Sequence, residues 1–256
     1  MITPTISDIL PIVREAGKIL LERRGADRIR EKSVSDFVTE VDLTVQNAIC
    51  TILAENWPEI QFMGEEKDNS DIDCTGCYWV LDPVDGTTNL IHDFRASVIS
   101  LALVCAGEPQ LGIILNPYTG EEFTAVKGGG AFRNGKSIHV SDVTRLADAL
   151  VFAGTSPYRR NEAEENFRRI MRVYLASHDV RRFGTSALEL CYVACGRADG
   201  YFEFGVKPWD VAAGMLILRE AGGECVTMDG SSPPLDRECA VVATNGHFTE
   251  SLRALM

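Results

Sequence analysis

The sequence has no long apolar run. A membrane-spanning helix needs about 18 consecutive apolar residues, whereas the longest apolar stretches here, Ser97–Ala106 and Val211–Leu218, have the length of buried elements in a globular core. The N-terminus has no basic segment followed by an apolar stretch and a small-residue cleavage site, as a secretory signal would have. We therefore expect a cytoplasmic protein that does not enter a membrane.

Positive charge is scarce. The 256 residues include 25 Lys and Arg against 37 Asp and Glu, which gives a net charge of −12. Because nucleic acids and membrane surfaces are bound through patches of Lys and Arg, we expect neither as a partner. The acidic balance leaves open a small phosphate bound through a metal ion. The composition is that of a globular protein, and the length allows one large domain or two small ones.

Cysteine pairs with metal-binding spacing are nearly absent. Among eight cysteines, Cys74 and Cys77 form the one CxxC pair, and a structural zinc site normally needs a second pair. A redox role is the other reading of that pair. Cys191 and Cys195 lie one turn apart in an apolar helical pattern, which favours packing in the core. Without a secretory signal, we expect the thiols to be reduced.

The first half of the chain combines helices with strands. Helical spacing of apolar residues predicts a helix over Ser7–Arg24, with Pro11 in its first turn. Thr39 is a possible cap of a second helix, and Ser33–Val38 before it is predicted to be a loop or short strand. Further strands, the last three in an antiparallel meander, are predicted at Ile60–Met63, Tyr78–Leu81, Ser97–Cys105, Gln110–Leu115 and Glu121–Ala125.

The second half alternates between the two kinds of element. Strands are predicted at Leu150–Ala153, Val180–Phe183, Gly200–Phe204, Glu224–Thr227 and Ala240–Ala243. Helices are predicted at Glu162–Ser177, Ser186–Cys195, Val211–Ala221 and His247–Leu255. A meander followed by alternation is typical of a mixed α/β protein. We expect one domain over residues 1–256, with subdomains of about 1–145 and 146–256.

Acidic residues cluster where predicted strands end and helices begin. The clusters are Asp42, Gly64-Glu65-Glu66, Asp82–Asn89 and Trp209-Asp210. In Asp82-Pro-Val-Asp85, two carboxylates three residues apart can converge on a hard cation such as Mg²⁺. The following Gly86-Thr87 can open a short helix whose N–H groups face an anion. One segment thus offers metal ligands and a phosphate cradle side by side.

Each cluster also has an ordinary structural interpretation. Asp-Pro and Asp-Gly are common in turns, and Glu65-Glu66 alone is typical of a solvated loop. Asp42 and Asp210 alone are typical of the first turn of a helix. The functional interpretation rests on the occurrence of all four clusters together.

The segment Asp82-Pro-Val-Asp-Gly-Thr-Thr-Asn89 resembles the signature of the inositol monophosphatase family. Met63-Gly-Glu-Glu66 is similar to the family's glutamate motif, and Trp209-Asp-Val-Ala-Ala-Gly214 to its C-terminal signature. Val38–Asp42, the glycine-rich run Gly128–Asn134 and Gly184-Thr185 also follow the family order. The resemblance extends from about Ile6 to Leu255.

This resemblance implies a site that binds two or three Mg²⁺ ions. The residues that match its metal ligands are Glu65, Asp82, Val84 through its backbone carbonyl, Asp85 and Asp210. Catalytic roles fall on Glu65 and Thr87, which would orient the attacking water, and on Asp82, which would bridge metals. Asp42 and Glu66 match groups that support these ligands or bind a third ion.

Substrate contacts are implied as well. Gly86 and Thr87 resemble a backbone cradle for the phosphate, and Asp210 lies near the ester oxygen in the family pattern. Gly184, Thr185 and Ser186 fall where the family contacts the substrate ring. Glu203 matches a glutamate that binds inositol hydroxyls. Gly154–Tyr158 varies between subfamilies and does not fix the substrate.

The fold implied by the resemblance is a layered αβαβα sandwich of the sugar phosphatase type, often a homodimer. The expected activity is Mg²⁺-dependent, lithium-sensitive hydrolysis of myo-inositol monophosphate by direct attack of water, so the expected partner is a small phosphorylated polyol or sugar. One alternative is a broader sugar phosphatase that acts on fructose 1,6-bisphosphate, histidinol phosphate or phosphoadenosine nucleotides. Another is a regulatory binding protein on the same scaffold, since one bacterial branch acts in RNA transcription complexes.

Overall fold

The computed structural model of the chain describes residues 4–33 and 35–256. The helices in these ranges are α1 (Ile6–Glu22), α2 (Glu40–Asn56), α3 (Thr87–Ile91), α4 (Ala163–Ala176), α5 (Ser186–Ala194), α6 (Pro208–Glu220) and α7 (Thr249–Arg253). The strands are β1 (Ile29–Ser33), β2 (Asp36–Thr39), β3 (Gln61–Gly64), β4 (Cys77–Asp85), β5 (Val98–Cys105), β6 (Glu108–Asn116), β7 (Glu121–Val126), β8 (Ala131–Arg133), β9 (Lys136–Ser137), β10 (Leu150–Ala153), β11 (Asp179–Arg181), β12 (Gly200–Val206), β13 (Glu224–Thr227) and β14 (Cys239–Thr244).

The strands form two large sheets and one hairpin. The seven-stranded sheet has the order β3-β4-β5-β6-β7-β8-β9, in which only β3 and β4 are parallel. The predicted meander is confirmed as β5, β6 and β7. The five-stranded sheet has the order β11-β10-β12-β14-β13, with β10 parallel to both of its neighbours. Strands β1 and β2 form the separate antiparallel hairpin.

Helices cover both sheets and separate them. One core packs α1 and α2 on the seven-stranded sheet, as Val13, Ile49 and Trp79 show. A second core places α5 and α6 between the two sheets, and a third packs α4 and α7 on the five-stranded sheet. The predicted αβαβα sandwich is therefore confirmed. The division into subdomains at about residue 145 stays a prediction.

The two longest helices, α1 and α2, have 17 residues each. Neither they nor any other helix of the described ranges combines the length and the apolar character needed to cross a bilayer.

Helix ends follow local capping chemistry. The predicted cap at Thr39 is confirmed, because its hydroxyl accepts from Val41 N at 3.1 Å while Asp42 Oδ2 accepts from Thr39 N at 2.9 Å. Helix α1 starts at Ile6, so the expectation of Pro11 in the first turn is wrong: Pro11 lies inside the helix, on its exposed face. Arg23, with φ of 52°, ends α1 in the left-handed conformation.

Several boundaries differ from the sequence-based ones. Strand β4 continues through Asp85, so Asp82-Pro-Val-Asp85 forms the end of the strand instead of following it. Helix α6 starts at Pro208, because proline fits the first position of a helix. Part of the predicted loop Ser33–Val38 is in the β1–β2 hairpin, and its Val34 lies outside the described residues.

The expectation that all thiols are reduced is wrong for one pair. Cys77 and Cys105 are joined by a disulfide between the first residue of β4 and the last residue of β5, which are paired in register. Cys74, the other member of the CxxC pair, carries a free thiol. The expectation of reduced thiols rested on the missing secretory signal, whereas the sheet brings together two cysteines 28 positions apart in the chain.

Candidate active site

A cavity of about 510 Å³ lies where β4, β12 and the first turns of α3, α5 and α6 approach one another. The predicted site residues on its wall are Glu65, Asp85, Gly86, Thr87, Gly184, Ser186, Glu203 and Asp210. The others, Asp42, Glu66, Asp82, Val84 and Thr185, are outside this wall and contact it through neighbours. The structure thus gathers residues from the whole length of the chain around one cavity.

The end of β4 holds two buried carboxylates. Its pairing with β5 shifts between Asp82 and Asp85, which are 2% and 8% exposed. Asp82 Oδ1 accepts a hydrogen bond from Val84 N at 2.9 Å. Asp85 Oδ2 accepts from Thr185 Oγ1 at 2.6 Å and from Ala187 N at 2.7 Å, at the first turn of α5. Protein donors therefore fix each carboxylate through one of its oxygens.

Asp210 takes its position from α6. Its carboxylate Oδ2 accepts from Lys207 N at 2.7 Å, so the same side chain caps the helix and faces the cavity. A carboxylate in the first turn of a helix is stabilised by the helix dipole. The cap interpretation of Asp210 is thus confirmed, and its role as a metal ligand stays a prediction.

Asp42 connects the cap of α2 with α3. Asp42 Oδ1 accepts from Thr87 Oγ1 at 3.0 Å, and the carbonyl of Val84 lies 3.1 Å from the same hydroxyl. Asp42 is fully buried. Because a hydroxyl has one proton and two lone pairs, committing the proton to these acceptors leaves Thr87 Oγ1 able to accept from a water molecule.

Gly86 precedes α3 in a conformation that favours glycine. Its φ is 91°, and a Cβ atom there would lie 3.2 Å from the carbonyl oxygen of Ala96 and 3.3 Å from that of Gly184. A side chain at this position would be strained and crowded. Glycine therefore allows the tight turn from β4 into α3 next to Thr87 on the cavity wall.

Glu203 lies in the middle of β12, a strand of the five-stranded sheet. Its Oε2 accepts from Tyr201 Oη at 2.7 Å and from Ser186 Oγ at 3.0 Å, and its Oε1 from Ser156 N at 3.4 Å. The space for it depends on Gly154, where a Cβ atom would lie 2.0 Å from Glu203 Cδ. Glu203 is therefore a fixed hydrogen-bond acceptor on the cavity wall.

Glu65 and Glu66 share a cation of the chain itself. Lys32 Nζ lies 2.8 Å from Glu65 Oε1 and 2.8 Å from Glu66 Oε1, and Asp36 Oδ1 is 3.5 Å away. Burial opposes the charge of Lys32, but the two glutamates outweigh it and raise its pKa above the ordinary value. The sequence analysis missed Lys32, which reaches the site from the β1–β2 hairpin.

Burial and mutual repulsion destabilise the charged forms of the acidic cluster. Burial, followed by the charges of Glu65 and Asp85, raises the pKa of Asp82 well above its usual value. Burial raises the pKa of Glu65 to about 7 against the opposing effect of Lys32. The pKa of Asp210 is raised in the same way, by burial and then Asp85. Such a cluster is stabilised by a bound cation.

The ligand geometry for a metal is not complete as the side chains stand. No three His, Cys, Asp or Glu side chains in residues 4–33 and 35–256 are close enough together to hold an ion. The reason lies in the contacts above, since Lys32 binds Glu65 and Glu66 while donors of α5 bind Asp85. The donor set nevertheless consists of carboxylate oxygens that are buried at Asp82 and Asp85 and half-buried at Glu65 and Asp210, and oxygen ligands fit Mg²⁺.

One residue outside the predicted set supports the site, and one segment of the family pattern lies outside the cavity. Glu189, which the sequence analysis missed, is buried and accepts from Phe183 N at 2.6 Å and Gly184 N at 3.2 Å, so it positions the loop before α5. A buried acid in an apolar helix was the available signal. The glycine-rich run Gly128–Asn134 is not in the cavity, and its Gly128 and Gly130 bind Glu220 of α6.

Known proteins resemble this chain in sequence and in fold. The model of the inositol monophosphatase family matches residues 4–256. The chain is 35% identical to the Nus factor SuhB of Xylella fastidiosa over 99% of this chain and 94% of that protein. It is 39% identical to inositol monophosphatase 2 of Solanum lycopersicum, over 93% and 92% of the two chains. The solved structure of the extragenic suppressor protein suhB from Bartonella henselae matches with a TM-score of 0.88 and 31% identity, covering 96% of this chain and 95% of that one. The chain therefore belongs to the inositol monophosphatase family.

Proposed function

We propose that the protein is a Mg²⁺-dependent phosphatase that hydrolyses myo-inositol monophosphate to inositol and phosphate. The observation that carries the proposal is that Glu65, Asp85, Asp210 and Thr87 line one cavity, with the buried Asp82 next to the three acids. Family membership and relatives named inositol monophosphatase support a phosphatase activity. The metal, the substrate and the residue roles belong to the proposal.

The metal would be held by Glu65, Asp82, the Val84 carbonyl, Asp85 and Asp210, as two or three Mg²⁺ ions with support from Asp42 and Glu66. Bound there, Mg²⁺ lowers the pKa of a coordinated water and neutralises charge on the phosphate. The raised pKa values of Asp82 and Asp210 support this assignment, because mutual repulsion of the carboxylates is relieved by a cation.

Thr87 orients the water that attacks phosphorus. Asp42 Oδ1 and the Val84 carbonyl accept the hydroxyl proton, so Thr87 Oγ1 presents a lone pair to the water. Glu65 lies on the same cavity wall and accepts a second proton of that water. Gly86 and Thr87 leave N–H groups at the start of α3 for the phosphate oxygens. Fixed groups of this kind lower the barrier by positioning the reactants.

Asp82→Asn tests the metal assignment. Removing one of several carboxylates that share a cation leaves phosphate charge uncompensated, so kcat should fall at least about 100-fold, or roughly 2.7 kcal/mol. Phosphate release from myo-inositol 1-phosphate is measured over a Mg²⁺ titration. Inhibition of the wild-type enzyme by Li⁺ also belongs to the proposal. Asp71→Asn, an exposed change in the 67–76 loop, is the matched control. Near-wild-type turnover in folded Asp82→Asn would refute the assignment.

Glu203 supports a polyol as the leaving group. Tyr201 and Ser186 fix Oε2 of its carboxylate, and Oε1 has only long contacts of 3.4 Å with Ser156, which ring hydroxyls of a substrate can replace. Because bonds to charged acceptors are worth about 1.5–3 kcal/mol, Glu203→Ala should lower kcat/KM for inositol monophosphate about tenfold or more. The rate with 4-nitrophenyl phosphate, which lacks ring hydroxyls, should change little. Glu224→Ala, at the exposed first residue of β13 in the same sheet, serves as control. Equal losses on both substrates would contradict the role.

A homodimer and a cytoplasmic location also belong to the proposal. Helix α4 supports the homodimer, since it exposes Phe167, Met171, Tyr174 and Leu175. A stripe of this kind on a small protein commonly marks an interaction surface.

The second candidate function is a regulatory binding role without catalysis. The observation in its favour is the similarity to relatives named Nus factor SuhB, at 34–36% identity. The complete set of site acids favours the enzyme, because a purely binding role does not require buried, mutually repelling carboxylates. Absence of phosphate release from every ester in a sugar-phosphate panel with Mg²⁺ would favour the binding role.

A further inference from the structure

One segment of the cavity wall, the 154–159 loop, forms neither helix nor strand. It connects β10 to the short 3₁₀ turn Arg160–Glu162. Ser156 N and Oγ of this loop each lie 3.4 Å from Glu203 Oε1. The position of the loop therefore affects the carboxylate that is proposed to bind ring hydroxyls. The loop residues on the cavity wall are Gly154, Thr155, Pro157 and Tyr158.

A charged bridge connects the loop to the five-stranded sheet. Arg159 Nη2 pairs with Glu238, and Glu238 Oε2 lies 2.5 Å from Lys207 Nζ. Lys207 directly follows β12 and Glu238 directly precedes β14. These two strands pair with each other as far as Val206 and Cys239. The bridge therefore joins two residues next to paired strands with one residue of the loop.

The other contacts of Arg159 do not replace this connection. Its Nη1 lies 2.9 Å from Glu162 Oε1, but Glu162 belongs to the turn that follows the same loop. Its guanidinium lies over Gly205, where a Cβ atom would be 2.5 Å from Arg159 Nε. Gly205 has φ of 82° and lies where the pairing of β12 with β14 shifts. A glycine at this position therefore leaves the space through which Arg159 reaches Glu238.

Two hydrogen bonds also hold the loop to β12. Tyr158 Oη donates to the carbonyl of Gly205 at 2.7 Å, and Ser156 Oγ donates to the carbonyl of Phe204. Because these bonds do not involve Glu238, loss of its charge should loosen the loop without unfolding it.

Glu238 is not on the wall of the main cavity. Together with Lys207 it lines a neighbouring cavity of about 390 Å³. Tyr158 of the loop lies on the walls of both cavities. Glu238 therefore acts on the main cavity through the loop and not by direct contact with a substrate.

We propose that Glu238 is a positioning residue, which holds the 154–159 loop through Arg159 and thereby keeps Glu203 oriented toward the ring of the leaving group. The inference rests on the proposed phosphatase function and assigns a role to a residue outside the acidic cluster. An isolated exposed ion pair contributes little to stability. Here one carboxylate, with its side chain 25% exposed, joins two cations from different segments. The expected effect of losing it is therefore on substrate recognition and not on the fold.

Glu238→Gln removes the charge and keeps the size of the side chain. We expect KM for myo-inositol 1-phosphate to rise at least about fivefold, with kcat and the kcat/KM for 4-nitrophenyl phosphate each within about twofold of wild type. The turnover is expected to persist because the backbone N–H of Lys207, and not its side chain, binds Asp210. Arg159→Gln should give the same pattern. Equal losses on the two esters would overturn the proposal.

Asp236→Asn is the matched control. Asp236 is an exposed acid two residues before Glu238, and it pairs with Arg237 of its own loop. Its substitution should leave KM for myo-inositol 1-phosphate unchanged. A rise equal to that in Glu238→Gln would reduce the effect to general charge and overturn the proposal.

A double-mutant cycle tests whether Glu238 acts through Glu203. Coupled residues show losses that do not add. In a Glu203→Ala background, Glu238→Gln should therefore raise KM for myo-inositol 1-phosphate by less than about twofold. The full rise seen in the wild-type background would show that Glu238 acts elsewhere and would overturn the proposal.

Amide hydrogen exchange separates this inference from the proposed function. If the wild-type chain releases no phosphate from any ester, the proposed function fails, but exchange still tests the link between Glu238 and the loop. Peptides that cover residues 154–160 should exchange at least about threefold faster in Glu238→Gln than in wild type, and at the wild-type rate in Asp236→Asn. Unchanged exchange in Glu238→Gln would refute the positioning role.

Discussion

The ammonium group of Lys32 lies 2.8 Å from one oxygen of Glu65 and 2.8 Å from one of Glu66. Glu65 is a proposed metal ligand, and Glu66 is proposed to support the ligands. It is partly buried, with a quarter of the side chain exposed. A cation fixed by the chain stabilises these acids while competing with a free cation for the same oxygens. We therefore expect Lys32 to weaken the binding of Mg²⁺ at the proposed site.

Lys32→Met tests this competition. Without the ammonium group, Glu65 and Glu66 lose their counterion, and Mg²⁺ should bind about threefold to tenfold more tightly in calorimetry without substrate. The melting temperature in EDTA should fall, because the acids then repel one another without compensation. Lys67→Met provides the control, since Lys67 Nζ donates to the carbonyl of Phe62 and has no acidic partner in the described residues. Unchanged or weaker Mg²⁺ binding to Lys32→Met would show that Lys32 does not compete.

Sequence reasoning locates the site acids but not the residues that position them. Asp82, Asp85 and Asp210 were identifiable because each lies in a short motif with local geometry. Glu189 and Lys32 act across the fold, at distances along the chain that no local pattern encodes. Lys32 is 33 residues from Glu65, and only the β1–β2 hairpin brings the two together.

Among the helices and strands, strong local sequence signals predicted the correct type of element. The boundaries of an element depend instead on the strands or helices that pair or pack with it. Thr39 caps α2 as predicted because the capping box is complete within four residues. Strand β4 extends to Asp85 because β5 continues to pair with it, which a pattern of single residues does not show. Strands β8 and β9 are three and two residues long, so they carry almost no periodic signal.

The β4–β5 disulfide predicts a measurable contribution to stability. Cys77 and Cys105 close a loop with a sequence separation of 28, and a cross-link of that kind contributes about 2–4 kcal/mol. Cys105→Ser should therefore lower the urea midpoint of unfolding under oxidising conditions, and the difference from wild type should shrink in reductant. Cys74→Ser, which changes a free thiol close to Cys77 in the chain, should have little effect. Thiol titration of the unfolded, unreduced wild type should find six free groups. Finding eight would show that the bond does not form.

For the whole molecule, the family resemblance implied the layered sandwich. The order of the strands within each sheet depends on pairing between distant parts of the chain. The sequence placed a meander before an alternating half, but not the order β11-β10-β12-β14-β13 or the shared core around α5 and α6. Helix α6 is almost entirely buried because both sheets pack on it. Its apolar run Val211–Leu218 indicates that the helix is buried, but it does not indicate which sheets pack on the helix.

One outer layer leaves apolar surface uncovered. Of the ten large apolar side chains exposed in the described residues, four lie on α4: Phe167 at 60%, Met171 at 56%, Tyr174 at 57% and Leu175 at 76%. The helix is 14 residues long, or roughly 21 Å. It carries Glu164 and Glu165 in its first turn, and Arg168, Arg169 and Arg172 further along. Two copies packed antiparallel would therefore place acidic ends near basic segments.

Substitution on α4 should separate the predicted homodimer into monomers. A stable dimer buries about 800 Å² per partner, and the exposed stripe on α4 would form the centre of such an interface. Phe167→Glu combined with Met171→Glu places like charges opposite each other across a twofold axis, so the elution mass measured by light scattering should halve at micromolar concentration. The control Leu21→Glu changes a comparably exposed apolar residue of α1 and should leave the mass unchanged. A dimer that persists in the double variant, with its circular dichroism intact, would move the interface away from α4. A wild-type chain that elutes as a monomer would refute the homodimer itself.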